Sequence, residues 1–296
     1  MSQQPFFSDG PSGRAYANVM AASNESTKRA RRLCADLWEE FEPYADRDFL
    51  GEVDVKFDER FWEMDLTVTL IRLGFQVTCP KPGPDVGIVV DGLRIWFEAV
   101  SPSRGADGSP DQVPEARNDG TVQSVPNAQL VLRYLNSISE KFERQYRNWL
   151  QIGAVAKEDA FVIALNPRRL GFDYADTIPP RILQAAFPVG HAFISFSRDN
   201  LRPTQRGFEV RPSLAKASGT LVDTGVFLHE GYEALSGLLV SRVDVVNRPE
   251  GLGQDFQLLP NPVAAVPLPA KFRLPGTYFA VSATEDGYNV QPEPSE

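Results

Sequence analysis

The amino-acid sequence predicts an α/β protein with a helix-strand-strand-strand-helix-strand core, a mixed sheet and a C-terminal, mostly antiparallel β extension. Three observations carry that prediction. An apolar helical stripe over residues 58–73 is followed by three β-rich runs ending at Val100. A long helical pattern opened by Pro126 leads into the wholly apolar run Phe161 to Leu165. Beyond about residue 190 the chain offers several short β-rich runs between turn-forming residues.

Residues 1–23, polar and containing Pro, Gly and Ser, read as a flexible tail. Asn24-Glu25-Ser26-Thr27 supplies caps for a helix through Leu33, Leu37, Phe41 and Tyr44. Asp58 is placed to cap a second helix, with Phe61, Met64, Thr67, Val68 and Ile71 on one stripe and Gly74 as its stop. Phe75 to Cys79 alternates like a strand, and Pro80, Pro82, Gly83 and Pro84 then force an extended turn. Asp85 to Val90 and Leu93 to Val100 flank Asp91-Gly92, a strong hairpin signal.

Residues 101–124 are rich in Ser, Pro, Gly, Asp and Asn and predict a mobile loop, long enough to be functional or disordered. The helix opened by Pro126 runs to about Gln151. Past Pro179-Pro180 come a short helix and strands at His191 to Phe196, Gly225 to His229, Leu235 to Val246 and Phe256 to Leu259. A single domain is expected over 24–284, with its core at about 55–170 and its β extension at about 190–284. Residues 285–296, acidic at the end, read as a second flexible tail.

Composition narrows the function. At 42% hydrophobic and 23% charged, the 296 residues suit a globular chain with a sizeable core. No apolar run approaches the roughly 18 to 20 residues that span a bilayer, so no membrane partner is expected. Cys34 and Cys79 form no disulfide framework, which points to a reducing cytoplasm. A net charge of −9 argues against a broad basic surface coating nucleic acid, but carboxylates that hold metal ions enter the same total. His191 and His229 lack cysteine partners at zinc spacing, and no glycine-rich phosphate loop or nucleophile elbow occurs.

Glu98 is the first candidate residue. It lies within Ile95-Trp96-Phe97-Glu98-Ala99-Val100, where an ionised carboxylate is costly unless paired or bound to a cation. An ion pair with Arg94 would satisfy it equally well. Asp85 follows Gly83-Pro84 at the mouth of the preceding strand, and the Asp91-Gly92 hairpin brings it toward Glu98. Glu63 lies on the helix before them, where a surface pair with Arg60 or Lys56 is the ordinary alternative.

Gly83-Pro84-Asp85, Trp96-Phe97-Glu98-Ala99-Val100 and Phe61-Trp62-Glu63 together resemble the PD-(D/E)XK nuclease superfamily, over about residues 55 to 170. The pattern looks like bacterial nuclease-like proteins in which FWE, GPD and WxEA runs precede a long loop and helix. The resemblance implies a restriction-endonuclease-like α-β-β-β-α-β core. It also implies Mg²⁺ or Mn²⁺ held by Asp85, Glu98 and the Ala99 carbonyl, with Glu63 completing the site. Nucleic acid, DNA foremost, would be the substrate, and a homodimer is a further expectation.

One departure stands out: Val100 occupies the position where the family pattern has lysine. Superfamily members also supply this charge from the next helix, where Gln129, Arg133, Ser137 and Lys141 recur every four residues. Lys141 is the first candidate for the displaced cation and Arg133 the second. Gln129, Arg144 and Arg147 are candidate nucleic-acid contacts. The alternative is a catalytically silent nuclease-like module that binds nucleic acid or a protein partner.

Overall fold

Asn24 opens the first long helix as its residue type predicts. Its side chain accepts from the Thr27 N–H at 3.0 Å while the Thr27 hydroxyl receives the Asn24 N–H at 3.1 Å, a reciprocal cap. The computed structural model that reveals this describes residues 5–8, 13–117, 119–172, 176–285 and 287–294. The predicted N-terminal tail is partly structured: Arg14–Ala21 forms α1, with Tyr16 and Val19 buried, and Phe6 packs beside Trp38 and Phe57. Aromatic burial there outweighs the polar composition that suggested flexibility.

The capped helix is α2 (Glu25–Phe41), followed by the short α3 (Phe49–Glu52) and by α4 (Phe57–Arg72). Asp58 does not cap α4: Lys56 holds the N-cap position, and Asp58 lies in the first turn, where a negative charge favours the helix dipole. Every residue from Phe61 to Leu70 is buried, so the helix has no solvent face there. Gly74, at φ +90°, follows it in the left-handed conformation that stops a helix.

Two strands follow, β1 (Val86–Val90) and β2 (Leu93–Val100), paired antiparallel through the Asp91-Gly92 turn with Ile88 opposite Ile95. The predicted strand Phe75 to Cys79 forms no ladder. It is extended, with alternate residues half-buried, and meets β1 at the single Thr78–Gly87 bridge. Pro80, Pro82 and Pro84 lie just beyond it, and proline offers no N–H to lengthen the pairing.

The long helical run comprises α5 (Asn127–Ser139), a π-helical segment (Glu140–Tyr146) and α6 (Arg147–Ile152). It leads to β3 (Ala160–Leu165), whose six residues are all buried, as a central parallel strand requires. After α7 (Arg181–Ala186) come the ribbon strands β4 (Val189–Phe196) and β5 (Pro203–Val210) and the short pair β6 (Ser213–Ala215) and β7 (Leu221–Asp223).

β8 (Gly237–Val240), β9 (Gln257–Pro260), β10 (Thr277–Thr284) and β11 (Gly287–Pro294) complete the main sheet. Three predictions fail in this region. Gly225 to His229 holds a 3₁₀ turn at Val226–Leu228, because Gly225 takes φ +76°. Only four residues of the Leu235 to Val246 run are strand. The acidic C-terminal residues, expected to fray, pair as β11 with β10 from Gly287 to Pro294.

The seven-stranded mixed sheet has the order β1-β2-β3-β8-β9-β10-β11. β2, β3 and β8 run parallel, β9 is antiparallel to β8, β10 is parallel to β9, and β11 closes the edge antiparallel. Within the C-terminal extension the β8–β9 and β10–β11 pairings are antiparallel and the two-residue β9–β10 pairing is parallel, while the antiparallel β4–β5 and β6–β7 pairs stand apart from the sheet. Alternate residues of β3 serve two cores. Ala160, Val162 and Ala164 face α1, α2 and α4, while Phe161, Ile163 and Leu165 face α5, α6 and α7. Among the described residues no helix is long and apolar enough to cross a membrane.

Candidate acidic site

β2 delivers its carboxylate to the helix layer opposite the one that carries Glu63. Trp96 packs with the α5 core and Phe97 and Ala99 with the α4 core, so alternation sends Glu98 toward α5. There the Lys141 ammonium meets Glu98 Oε1 at 2.6 Å. Arg94, the alternative partner, instead places its guanidinium 5.4 Å from the Trp96 ring centre. Glu63, expected near a surface, is 4% exposed and receives Arg60 Nη1 at 2.7 Å.

Asp85 stands between the two glutamates at the entrance to β1. Its Oδ2 accepts the Ala99 N–H at 2.7 Å, pinning it to the end of β2. An extended residue points its N–H and C=O to the same side, so the Ala99 carbonyl faces this end of β1 too. Continuing the register that pairs Phe97 with Val86 sets Ala99 opposite Pro84, which has no N–H to donate to that carbonyl.

Crowding shows in the titration behaviour. Burial, then repulsion from Asp85, pushes the Glu63 carboxyl up to about 7 against the pull of Arg60 and Lys81. The same two causes hold Glu98 well above the usual carboxylate range, opposed by Lys141. Burial alone would lower Lys141, but Glu98 and Asp85 together raise it. Protons are retained on the two glutamates first because burial penalises the ionised form and second because Asp85 repels it.

These groups adjoin a cavity of about 490 Å³, whose walls include Glu63, Asp85, Ala99, Arg133, Ser137 and Lys141. Glu98 lies beneath it, 2% exposed. Of the candidate nucleic-acid contacts, Gln129, Arg144 and Arg147 fall outside its lining. Gln129 is half-buried on α5, Arg144 stands exposed 3.9 Å from Glu140, and Arg147 is exposed at the start of α6. Sequence reasoning placed Arg60 only as a surface partner. In fact it gathers Glu63, Glu52 and Asp46 while stacking on Phe49. Lys81, from the proline-rich turn, was not foreseen; it stands 3.8 Å from Glu63 Oε1.

Glu63 Oε1 and Glu98 Oε2 are both buried without a hydrogen-bond partner. Such orphaned carboxylate oxygens, beside a third carboxylate, suit a hard divalent cation. As placed, no three Asp, Glu, His or Cys side chains among the described residues converge as a finished ligand set. Lys141 and Arg60 instead occupy one oxygen of each glutamate. Comparison of the chain with protein-family models, with curated proteins and with solved structures finds no match.

Proposed function

We propose that the protein is a metal-dependent nuclease of restriction-endonuclease-like design that hydrolyses phosphodiester bonds, with DNA as the first substrate to test. The observation that carries this reading is the pair of buried oxygens that accept no hydrogen bond, Glu63 Oε1 and Glu98 Oε2, on carboxylates that both feel the charge of Asp85. A helix, a hairpin, a long helix and a parallel strand in that order support it, as does a lysine delivered to Glu98 from the second helix.

Asp85, Glu98 and the Ala99 carbonyl, with Glu63, would hold Mg²⁺ or Mn²⁺. Bound there, such an ion supplies an activated water and neutralises charge on the phosphodiester. The chain's own groups do the rest. Lys141, charged and half-buried, offers its ammonium to phosphate oxygens at the cavity wall. Arg133, two helical turns earlier on the same face, has a buried Nε without a partner and suits a non-bridging oxygen. Arg60 and Lys81 hold the Glu63 carboxylate at the cavity wall, where it would complete the carboxylate set. Val100 leaves the family's usual lysine position apolar, and Lys141 supplies that charge.

Cleavage of supercoiled and linear DNA with Mg²⁺ or Mn²⁺ tests the reading. Asp85→Ala and Glu98→Ala are expected to abolish it, and Lys141→Met to slow it by about 10²- to 10³-fold, the loss typical of one electrostatic donor. Activity equal to wild type in both carboxylate variants removes the proposed site. A second reading, a silent nuclease-like module, is favoured by one observation: internal cations already pair with Glu63 and Glu98. Calorimetry with Mn²⁺ separates the two, since a silent module gives neither binding heat nor cleavage.

A further inference from the structure

β4 and β5 form a two-stranded ribbon that, among the described residues, pairs with no other strand. Its root is tied to the body. The Arg211 N–H donates to the Pro188 carbonyl at 2.9 Å, and the Arg211 guanidinium bonds Gln184 on α7. Gln184 also receives Asn127, the first residue of α5, at 3.0 Å. Beyond the root no residue from His191 to Val210 is buried. The ribbon is thus a projecting arm rather than a layer of the core.

Its register sorts the side chains. Ala192 faces Phe208 and Ile194 faces Arg206, so these four share one surface, and Phe196 follows two residues along β4, past a register shift at Ser195. Phe196 is 55% exposed, Ile194 51% and Phe208 48%. The turn adds Arg198 and Arg202, both exposed. Across the arm and its root lie four arginines (Arg198, Arg202, Arg206, Arg211) against two carboxylates (Asp199, Glu209), on a chain whose net charge is −9. Arg198, Arg202 and Arg206 form no ion pair among the described residues.

Two occupants suit an apolar ribbon: a second copy of this chain or a polyanion. Self-pairing about a two-fold axis would bring together two copies of a surface with more arginines than carboxylates. Rings interleaved with guanidinium groups instead match a strand of alternating bases and phosphates. We propose that the β4–β5 arm grips an unpaired nucleic-acid strand, with Phe196 and Phe208 stacking on bases and Arg198, Arg202 and Arg206 contacting phosphates. The choice of nucleic acid rests on the nuclease reading. α5, hydrogen-bonded to α7 at the arm's root, leads in about 20 Å of helix to Lys141 at the cavity wall.

Fluorescence anisotropy of the full chain in EDTA, with a labelled oligonucleotide of about 20 nucleotides, longer than a typical single-strand site, tests the arm. Single-stranded and duplex forms are compared. The triple variant Arg198→Glu/Arg202→Glu/Arg206→Glu is expected to raise Kd at least about tenfold and flatten its salt dependence. Phe196→Ser/Phe208→Ser is expected to weaken single-strand binding by about tenfold while sparing the duplex. All five positions are exposed, and matching thermal melts confirm intact folding.

Unchanged Kd in both variants overturns the proposal. So does a duplex preference indifferent to the phenylalanines, or a dimer dissolved by Phe196→Ser/Phe208→Ser with Kd unaltered. Failure of the arm while Asp85→Ala still abolishes cleavage leaves the nuclease reading standing. Arm-dependent binding with no metal-dependent cleavage overturns the nuclease reading alone.

Discussion

Asp85 raises the proton affinity of both glutamates beside it, and that repulsion is a burden on the folded state. For Glu63 the sign follows from its values. Below its ordinary 4.5 the folded and unfolded chains are both protonated. Between 4.5 and about 7 the unfolded chain sheds its proton first, so stability falls as pH rises and levels off above about 7. Asp85→Asn keeps an acceptor for the Ala99 N–H and removes one negative charge. In EDTA at pH 8 it is expected to melt at or above wild type, by on the order of 1 kcal/mol, with the gain shrinking at pH 5. A variant that melts well below wild type at pH 8 contradicts this. Glu98 was legible in the sequence because a carboxylate in an apolar run demands a partner. Arg60 was not, since polar Asp65, Thr67 and Thr69 disguised how completely α4 is enclosed. Only packing from both sides gives such a helix its burial.

At the level of elements, the hairpin that carries Asp85 and Glu98 depends on a close approach. Gly87 pairs with Trp96, and a Cβ on Gly87 would lie 2.3 Å from the indole ring. The ring is itself anchored, its Nε1 donating to Asp159 at 2.8 Å. Gly87→Ala is therefore expected to destabilise by about 1 to 3 kcal/mol, read in urea unfolding. A fall of less than about 0.5 kcal/mol, the range of an ordinary surface change, would show that the indole yields freely. The hairpin and the β3 strand were readable because turn chemistry and apolar runs are local signals. The failure of Phe75 to Cys79 was not, because alternation describes a half-buried segment whether or not a neighbour lies within bonding reach. The π-helical segment was equally invisible. Its residues follow a helical pattern, and the wider turn appears only where Lys141 reaches Glu98 and Phe142 stacks on Tyr146 and Tyr232.

For the molecule as a whole, Phe6, Tyr16 and Val19 near the N-terminus belong to the core. Tyr16 is 1% exposed and packs edge-on against Phe57, beside Phe6 and Trp38. Removing residues 1–22 is expected to lower stability by about 3 kcal/mol or more, in line with losing large aromatic side chains, and to red-shift Trp38 emission as water reaches it. An unchanged melt and spectrum would return those residues to the status of a tail. Composition concealed this because two or three aromatics suffice to anchor a segment that is otherwise polar.

β2 and β3 lie inside the sheet with helices on both faces, and Glu98 and Ala99 on β2 lie directly beside the wholly buried β3. Segments of that kind open only when the entire chain opens. The amides of β3 should therefore exchange with deuterium at the slowest rates in the molecule, by global unfolding, while those of the β4–β5 arm exchange through local fraying. The acidic centre is then a fixed anvil, and adjustment to a bound strand falls to the outlying parts that can bend.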